Sequence, residues 1–281
     1  MTPDAVTVAA MTRVDADAPP ARGRVDIAGV QIDNYTMDEA LAWIEAMIAR
    51  RTPPTYAVTP NVDHIVKVRY DETFGRAYAE APLVLADGMP IMWAAKFLKT
   101  PLKEKVSGSD LFPLFCEVAA RRGYKLFFLG GRSGAIEEAA RVLRVRYQGL
   151  KVVGLHCPPM GFEKDPVENQ KAIDLVRASG ADLLFVGLGT PKQENWIYRH
   201  HRDCGVPVSI GIGASFDFVA GQQKRAPVVM QKLGLEWLWR LVLEPKRMYR
   251  RYLVEDPEFF ALVWRQHRAN SRARRHPQPQ A

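Results

Sequence analysis

Six short runs of apolar and β-branched residues recur along the chain: YAVTPN, LVLADG, KLFFLGG, KVVGLH, DLLFVGLG and PVSIGIG. Most are separated by stretches of about 10–15 residues whose apolar positions repeat with helical spacing. The runs are apolar throughout instead of alternating, as expected for strands covered on both faces. A mostly parallel sheet sandwiched by helices, joined by right-handed crossovers, supplies that environment. The pattern therefore predicts an α/β fold. A first short strand pattern, VDIAGVQID, precedes the six runs, and Thr36 with Glu39 forms a capping box before the helical run ALAWIEAMIA.

From Met230 the pattern changes. Leu233, Trp237, Leu238 and Leu241 repeat at helical spacing, while Arg240, Lys246, Arg247, Arg250 and Arg251 add positive charge. Pro245 should break or kink this stretch. A second helix is expected with Asp256 as cap and Pro257 at its first position, carrying Phe259, Phe260, Val263 and Trp264. These changes divide the chain into a disordered lead-in (1–23), an α/β domain (24–225), a basic amphipathic helical appendage (226–269) and a disordered tail (270–281). Helices with aromatic residues on one side and arginine on the other suit the interface plane of a bilayer. At ~1 kcal/mol per basic residue near an anionic leaflet, Lys246, Arg247, Arg250 and Arg251 would contribute roughly 4 kcal/mol. A helical lid packed on the core is the alternative reading.

Composition narrows the class. With 281 residues, 47% hydrophobic and 25% charged, the chain can bury a full core. No stretch reaches the ~18 consecutive apolar residues of a membrane span. The opening residues, rich in Ala, Asp and Pro, lack the apolar run of a secretory signal. These features predict a cytoplasmic protein, peripheral on the inner face of the plasma membrane. Cys116, Cys157 and Cys204 are far apart, show no metal-ligand spacing and read as reduced core thiols. The net charge of +8 arises entirely from residue 222 onward, where 13 Lys+Arg face 5 Asp+Glu; the earlier residues hold 26 of each. Such a segment calls for an anionic partner, either nucleic acid or an acidic lipid surface.

Polar and glycine-rich positions gather just after the strand runs, at the carboxyl rim where open α/β sheets bind ligands. In FFLGGRSGAIEE, Gly130 and Gly131 let backbone approach a ligand and Ser133 is placed to cap the next helix, giving either a diphosphate cradle or an ordinary turn. In GLGTPKQENWI, Gly187 and Gly189 free the backbone, Pro191 suits a first helical position, and Gln193 and Glu194 would face the crevice unless they merely serve the helix start. Asp87 follows an apolar strand and precedes Gly88 and Pro90. It is placed to act as a base, with a pKa raised above about 3.9 by partial desolvation yet still mostly ionised at neutral pH. Capping the following turn is its bland alternative. Thr59 and Asn61 offer neutral hydrogen bonds to a sugar, and Asn61 could equally cap a helix. Asp217 is suited to a ribose or sugar hydroxyl, or to a structural contact, and His64 reads as structural. The only paired aspartates of the kind that hold a divalent cation, Asp15 and Asp17, fall in the lead-in, so no metal and no cofactor are expected.

In order along the chain, TPNVDH, LADGMPI, LFFLGG, GLGTPKQE and GASFDFVAG, followed by the basic helical end, resemble the WecG/TagA/CpsF glycosyltransferase family over roughly residues 26–253. The resemblance implies a Rossmann-like α/β unit that moves a sugar from a UDP-sugar to a polyprenyl-diphosphate-linked saccharide with inversion, for a bacterial surface polysaccharide. It also implies Asp87 as general base, Thr59, Asn61 and Gln193 in the sugar pocket, and arginines at Arg240, Arg247 and Arg250 completing the site at the membrane. The implied partners are the UDP-sugar, the lipid-linked acceptor and an anionic membrane surface, without nucleic acid and with self-association open. Residues beyond about 254 depart from the family pattern. Two rival readings remain: a Rossmann-type NAD(P)-dependent oxidoreductase, for which no phosphate fingerprint is present, and a nucleic-acid-binding protein using the basic C-terminus.

Overall fold

The computed structural model describes residues 23–275. The expected lead-in up to residue 22 and the last residues of the expected tail, 276–281, lie outside them. The strands are β1 (Arg24–Ile27), β2 (Val30–Asp33), β3 (Thr55–Val58), β4 (Leu83–Val84), β5 (Lys125–Gly130), β6 (Lys151–His156), β7 (Leu183–Gly187) and β8 (Val208–Gly211). The helices before the appendage are α1 (Met37–Arg50), α2 (Val62–Lys67), α3 (Glu72–Ala79), α4 (Met89–Phe97), α5 (Gly108–Arg122), α6 (Ala135–Arg146), α7 (Pro166–Ala178), α8 (Lys192–Cys204) and α9 (Ser215–Val219). The appendage adds α10 (Val228–Lys232), α11 (Glu236–Leu243), α12 (Pro245–Arg250), a π-helical turn over Arg251–Glu255 and α13 (Pro257–Arg275).

Strands β3 to β8 form one parallel sheet in the order β4-β3-β8-β7-β5-β6. Alternate residues of β3, β4, β5 and β7 enter opposite cores. Leu126 and Phe128 of β5 pack with α1, α5, α6 and α9 on one face, where the Phe112 ring meets Phe128, Phe185 and Phe216 edge-on at 5.3, 4.9 and 5.2 Å. Phe127 and Leu129 pack with α2, α3, α4, α7, α8 and α13 on the other. This two-sided cover is why the strands read as unbroken apolar runs. The connection leaving β5 goes outward to β6, whereas that leaving β7 goes the opposite way to β8. The carboxyl ends of β5 and β7 therefore diverge into a crevice of the kind that receives ligands.

Three local expectations are corrected. VDIAGVQID is not one strand but an antiparallel hairpin of β1 and β2, turned by Ala28 (φ 54°) and Gly29 (φ 94°). Asp256 is not a cap, because its helical backbone continues straight from the π turn into α13. The helix α13 also passes Asn270 without ending and runs to Arg275, beyond the expected start of the tail. It is strapped to the hairpin: the Ala28 amide donates to Gln266 Oε1 at 2.7 Å, and Gln266 Nε2 donates to the Asp26 carbonyl at 3.0 Å. Thr36 and Glu39 do form a reciprocal capping box on α1. The three cysteines are free, with Cys116 and Cys204 buried and Cys157 half-buried.

Candidate functional site

All the sequence-selected loops lie along the carboxyl rim of the sheet, in two groups. Beyond β3 and β4 a cleft of about 380 Å³ opens between the rim and the appendage. Asn61, Asp87 and Gly88 line it from the sheet side, and Arg240, Arg251, Asp256 and Phe260 from the appendage. Asp87 sits just past β4, its amide held by the Pro60 carbonyl at 2.9 Å. Burial pushes its carboxyl up to about 7; Glu236 adds to the shift, while Lys105 and Arg240 oppose it. Burial thus raises Asp87 further than the partial desolvation expected from the sequence. Lys105 and Glu236, neither of which stands out in the sequence, belong to a bridge between core and appendage. Lys105 Nζ lies 3.3 Å from Asp110 and 3.5 Å from Glu236, and Arg225 pairs with Asp110 at 2.7 Å.

The appendage arginines split into two sets. Arg240 enters the cleft with its guanidinium 5.5 Å from the Phe218 ring centroid. Arg251 was expected on a lipid-facing surface but is turned inward: it donates to Asn61 Oδ1 at 3.2 Å and pairs with Asp63 at 3.5 Å and Asp256 at 3.9 Å. Burial alone pushes Asp63 upward, but Arg251 and Lys67 outweigh it and hold the carboxyl below its usual range. Asp256 is pushed up to about 7 by burial. Lys246 and Arg250 face solvent, Arg250 pairing with Glu255 at 3.0 Å; Arg247 lies on α12 and its side chain falls outside the described residues. Asn61 does cap α2, accepting from the His64 amide at 3.3 Å.

Behind the cleft a buried hydrogen-bonded chain joins the loops after β3, β7 and β8. His64 Nδ1 meets the Tyr78 hydroxyl at 2.7 Å and Nε2 meets Thr190 Oγ1 at 2.6 Å. Thr190 reaches Glu194 Oε1 at 3.4 Å, Gln193 Nε2 donates to that oxygen at 2.7 Å, and Gln193 Oε1 accepts from the Gly213 amide at 3.0 Å. Burial drives His64 down to about 3, so its ring is neutral, and pushes Glu194 up to about 7. If Tyr78 donates to Nδ1 and Nε2–H donates to Thr190, the Thr190 hydroxyl is left to donate to Glu194 Oε1, while Glu194 Oε2 is buried without a partner. Gln193 and Glu194 do not line the cleft; both are buried and hold the loops around it. Thr59 is likewise buried, beside Gly108 at the start of α5.

The second group lies at the β5/β7 crevice. Gly131 N donates to the Gly187 carbonyl at 2.7 Å. A Cβ on Gly130, whose φ is +96°, would lie 2.6 Å from that same oxygen, so only glycine fits the approach. The next loop leads into the amide-bearing N-terminus of α6. Ser133 is exposed and does not cap it; the N-cap is Gly134, without a side-chain hydrogen bond. Pro191 is likewise the N-cap of α8 and not its first helical residue, and Gly189 precedes it with φ +74°. Asp217 on α9 lies 3.6 Å from Arg132, which also approaches Glu244 of the appendage at 3.9 Å. Among the described residues no helix is long and apolar enough to cross a membrane.

The sequence model of the glycosyl transferase WecG/TagA/CpsF family matches residues 25–273. An N-acetylglucosaminyldiphosphoundecaprenol N-acetyl-beta-D-mannosaminyltransferase of Staphylococcus aureus (strain NCTC 8325 / PS 47) is 30% identical over 228 residues, covering 81% of this chain and 87% of the relative. The corresponding protein of strain MRSA252 is also 30% identical over 228 residues.

Proposed function

Because the chain belongs to the WecG/TagA/CpsF glycosyltransferase family, we propose that it carries a sugar from a UDP-sugar to a polyprenyl-diphosphate-linked saccharide with inversion at the anomeric carbon. The observation that carries this reading is the position of Asp87, a carboxyl with a pKa of about 7 at the floor of a cleft shared by sheet and appendage. A general base works best when its pKa lies near the operating pH. Asp87 takes the proton of the acceptor hydroxyl as that oxygen attacks the anomeric carbon from the side opposite the diphosphate. The proton is held on the carboxyl until solvent removes it, and the diphosphate leaves as an anion.

The donor's diphosphate lies along the Gly130–Gly131 and Gly187–Gly189 loops, facing the α6 amides, whose dipole favours an anion. Asp217 holds a ribose or sugar hydroxyl, and Asn61 faces the sugar. Gln193 and Thr59 act by keeping these loops in place. Arg240 brings positive charge beside the cleft where charge develops on the leaving group. We read the reaction as metal-independent, with amides and cationic side chains in the role that a divalent ion fills elsewhere. The exposed Lys246 and Arg250 support a reading in which the protein binds the anionic inner face of the plasma membrane, where a lipid-linked acceptor resides. The family assignment supports sugar transfer over the two rival readings.

A thermal-shift comparison of UDP, GDP, CDP and NAD, each with and without EDTA, tests the donor class. Stabilisation by UDP above the others, undiminished by EDTA, is expected. A shift with NAD, or a UDP shift abolished by EDTA, contradicts the proposal.

A further inference from the structure

The cleft at Asp87 has an apolar end that the transfer chemistry does not use. Trp93 of α4 and Phe260 of α13 line it, 48% and 59% exposed. One helical turn further out, Phe97 of α4 and Trp264 of α13 stack with ring centroids 6.0 Å apart and planes at 19°, again about half exposed. The two helices thus carry matching i, i+4 aromatic pairs, Trp93 with Phe97 and Phe260 with Trp264, and successive rungs are separated by a rise of ~6 Å. The inner rung lines the cleft; the outer rung lies beyond that lining, about half exposed, with the His267 ring 4.4 Å from Phe97 and 6.2 Å from Trp264.

This track is held in place by the core. Phe259 and Val263 of α13 are buried against the sheet-covering helices, which fixes Phe260 and Trp264 outward. The indole of Trp93 is wedged under the turn between α10 and α11. A Cβ on Gly234, whose φ is +69°, would lie 2.7 Å from that ring. Exposed aromatic side chains fixed in this way are costly in water unless a ligand covers them.

We propose that the groove between α4 and α13 takes the isoprenoid chain of the acceptor, next to the diphosphate end, and guides it from the cleft to the surface. The assignment rests on the reading of the acceptor as a lipid-linked saccharide. Continuity selects the occupant: a chain attached to the reacting head group lies along both rungs, whereas a membrane surface or a second copy of the protein covers only the outer one. The polar end of the cleft, with Asp87, receives the acceptor saccharide and its hydroxyl, and the aromatic end receives hydrocarbon. Burying such a chain against two aromatic rungs favours long-chain over short-chain acceptors.

The test compares two acceptors with the same N-acetylglucosaminyl diphosphate head, one bearing a long polyprenyl chain and one a short alkyl chain, in detergent micelles. The readout is the ratio of their kcat/KM values. Phe260→Ala combined with Trp264→Ala is expected to lower the long-to-short ratio about tenfold. Trp264→Lys, which keeps a large side chain but adds charge at a surface position, is expected to lower it as well. Donor KM in the same preparations reports on folding. A ratio equal to that of the unaltered protein overturns the proposal, whatever the absolute rates. So does an altered vesicle affinity or solution mass with the ratio intact, since these identify a membrane or a second copy as the occupant. Failure of the unaltered protein to use either acceptor overturns the underlying reading, and the groove assignment with it.

Discussion

Arg251 donates a hydrogen bond to Asn61 Oδ1 over 3.2 Å, joining residues 190 positions apart in the chain. The contact ties the π turn of the appendage to the loop that carries Asn61 beside the cleft, and the ion pairs from Arg251 to Asp63 and Asp256 reinforce it. Arg251→Ala removes a charged hydrogen bond worth ~1.5–3 kcal/mol in a largely screened position. A fall of several degrees in Tm, earlier proteolytic cleavage in the appendage and about tenfold slower transfer are expected. UDP affinity should stay close to normal, because the glycine loops lie elsewhere on the rim. Unchanged Tm and proteolysis would show that the latch does not hold the appendage.

The Asp87 pKa of about 7 sets the pH dependence. The base must be ionised to accept a proton, so kcat/KM should climb as pH rises through about 7 and level off above it. A steady-state pH profile between roughly pH 5.5 and 8.5 checks this. A flat profile across that window would mean that Asp87 titrates at its ordinary value or is not the base.

Glu194 makes the opposite kind of contribution to stability. Its folded-state value of about 7 lies above the ~4.3 of an unfolded glutamate, so the fold binds the proton more tightly. Stability is therefore unaffected below about pH 4, declines as pH rises toward 7, and is constant above that. Glu194→Gln keeps an acceptor for Gln193 and Thr190 without the buried charge. Its stability advantage over the parent should grow from nothing near pH 4 to a few kcal/mol near pH 8, read by urea denaturation. An advantage independent of pH would contradict a buried, titrating Glu194.

Among the described side chains of α12, Lys246 and Arg250 are exposed and basic, whereas Arg251 is engaged inside. Reversing the outer two, Lys246→Glu with Arg250→Glu, should weaken binding to anionic vesicles roughly 30-fold or more, at ~1 kcal/mol lost per cation. Co-sedimentation at low salt measures it. Equal binding would favour the appendage as a lid alone.

Much of the fold was legible because its causes are local. Both cores impose unbroken apolar runs on β5 and β7, and Thr36 with Glu39 announces α1 by capping chemistry. The β1–β2 turn was not legible, since Ala28 and Gly29 lack the Asn-Gly signature of a turn with two positive φ values. Asp87 and Asn61 could be picked out because strand ends gather at one rim. The inward turn of Arg251 could not, because periodicity does not say which of two adjacent arginines faces the core, and the π turn shifts the helical phase there. Lys105 and Glu236 approach Asp87 only through tertiary packing. The second roles of Gln193 and Glu194, as members of a buried chain ending at His64 and Tyr78, are likewise a product of the assembled fold.

The most direct test of the account is the rate of sugar transfer by Asp87→Asn, with UDP affinity measured on the same preparation. The amide keeps the shape of the side chain but accepts no proton, so turnover should fall at least ~100-fold while UDP binds within about twofold of normal. Transfer at the parent rate would contradict Asp87 as the base.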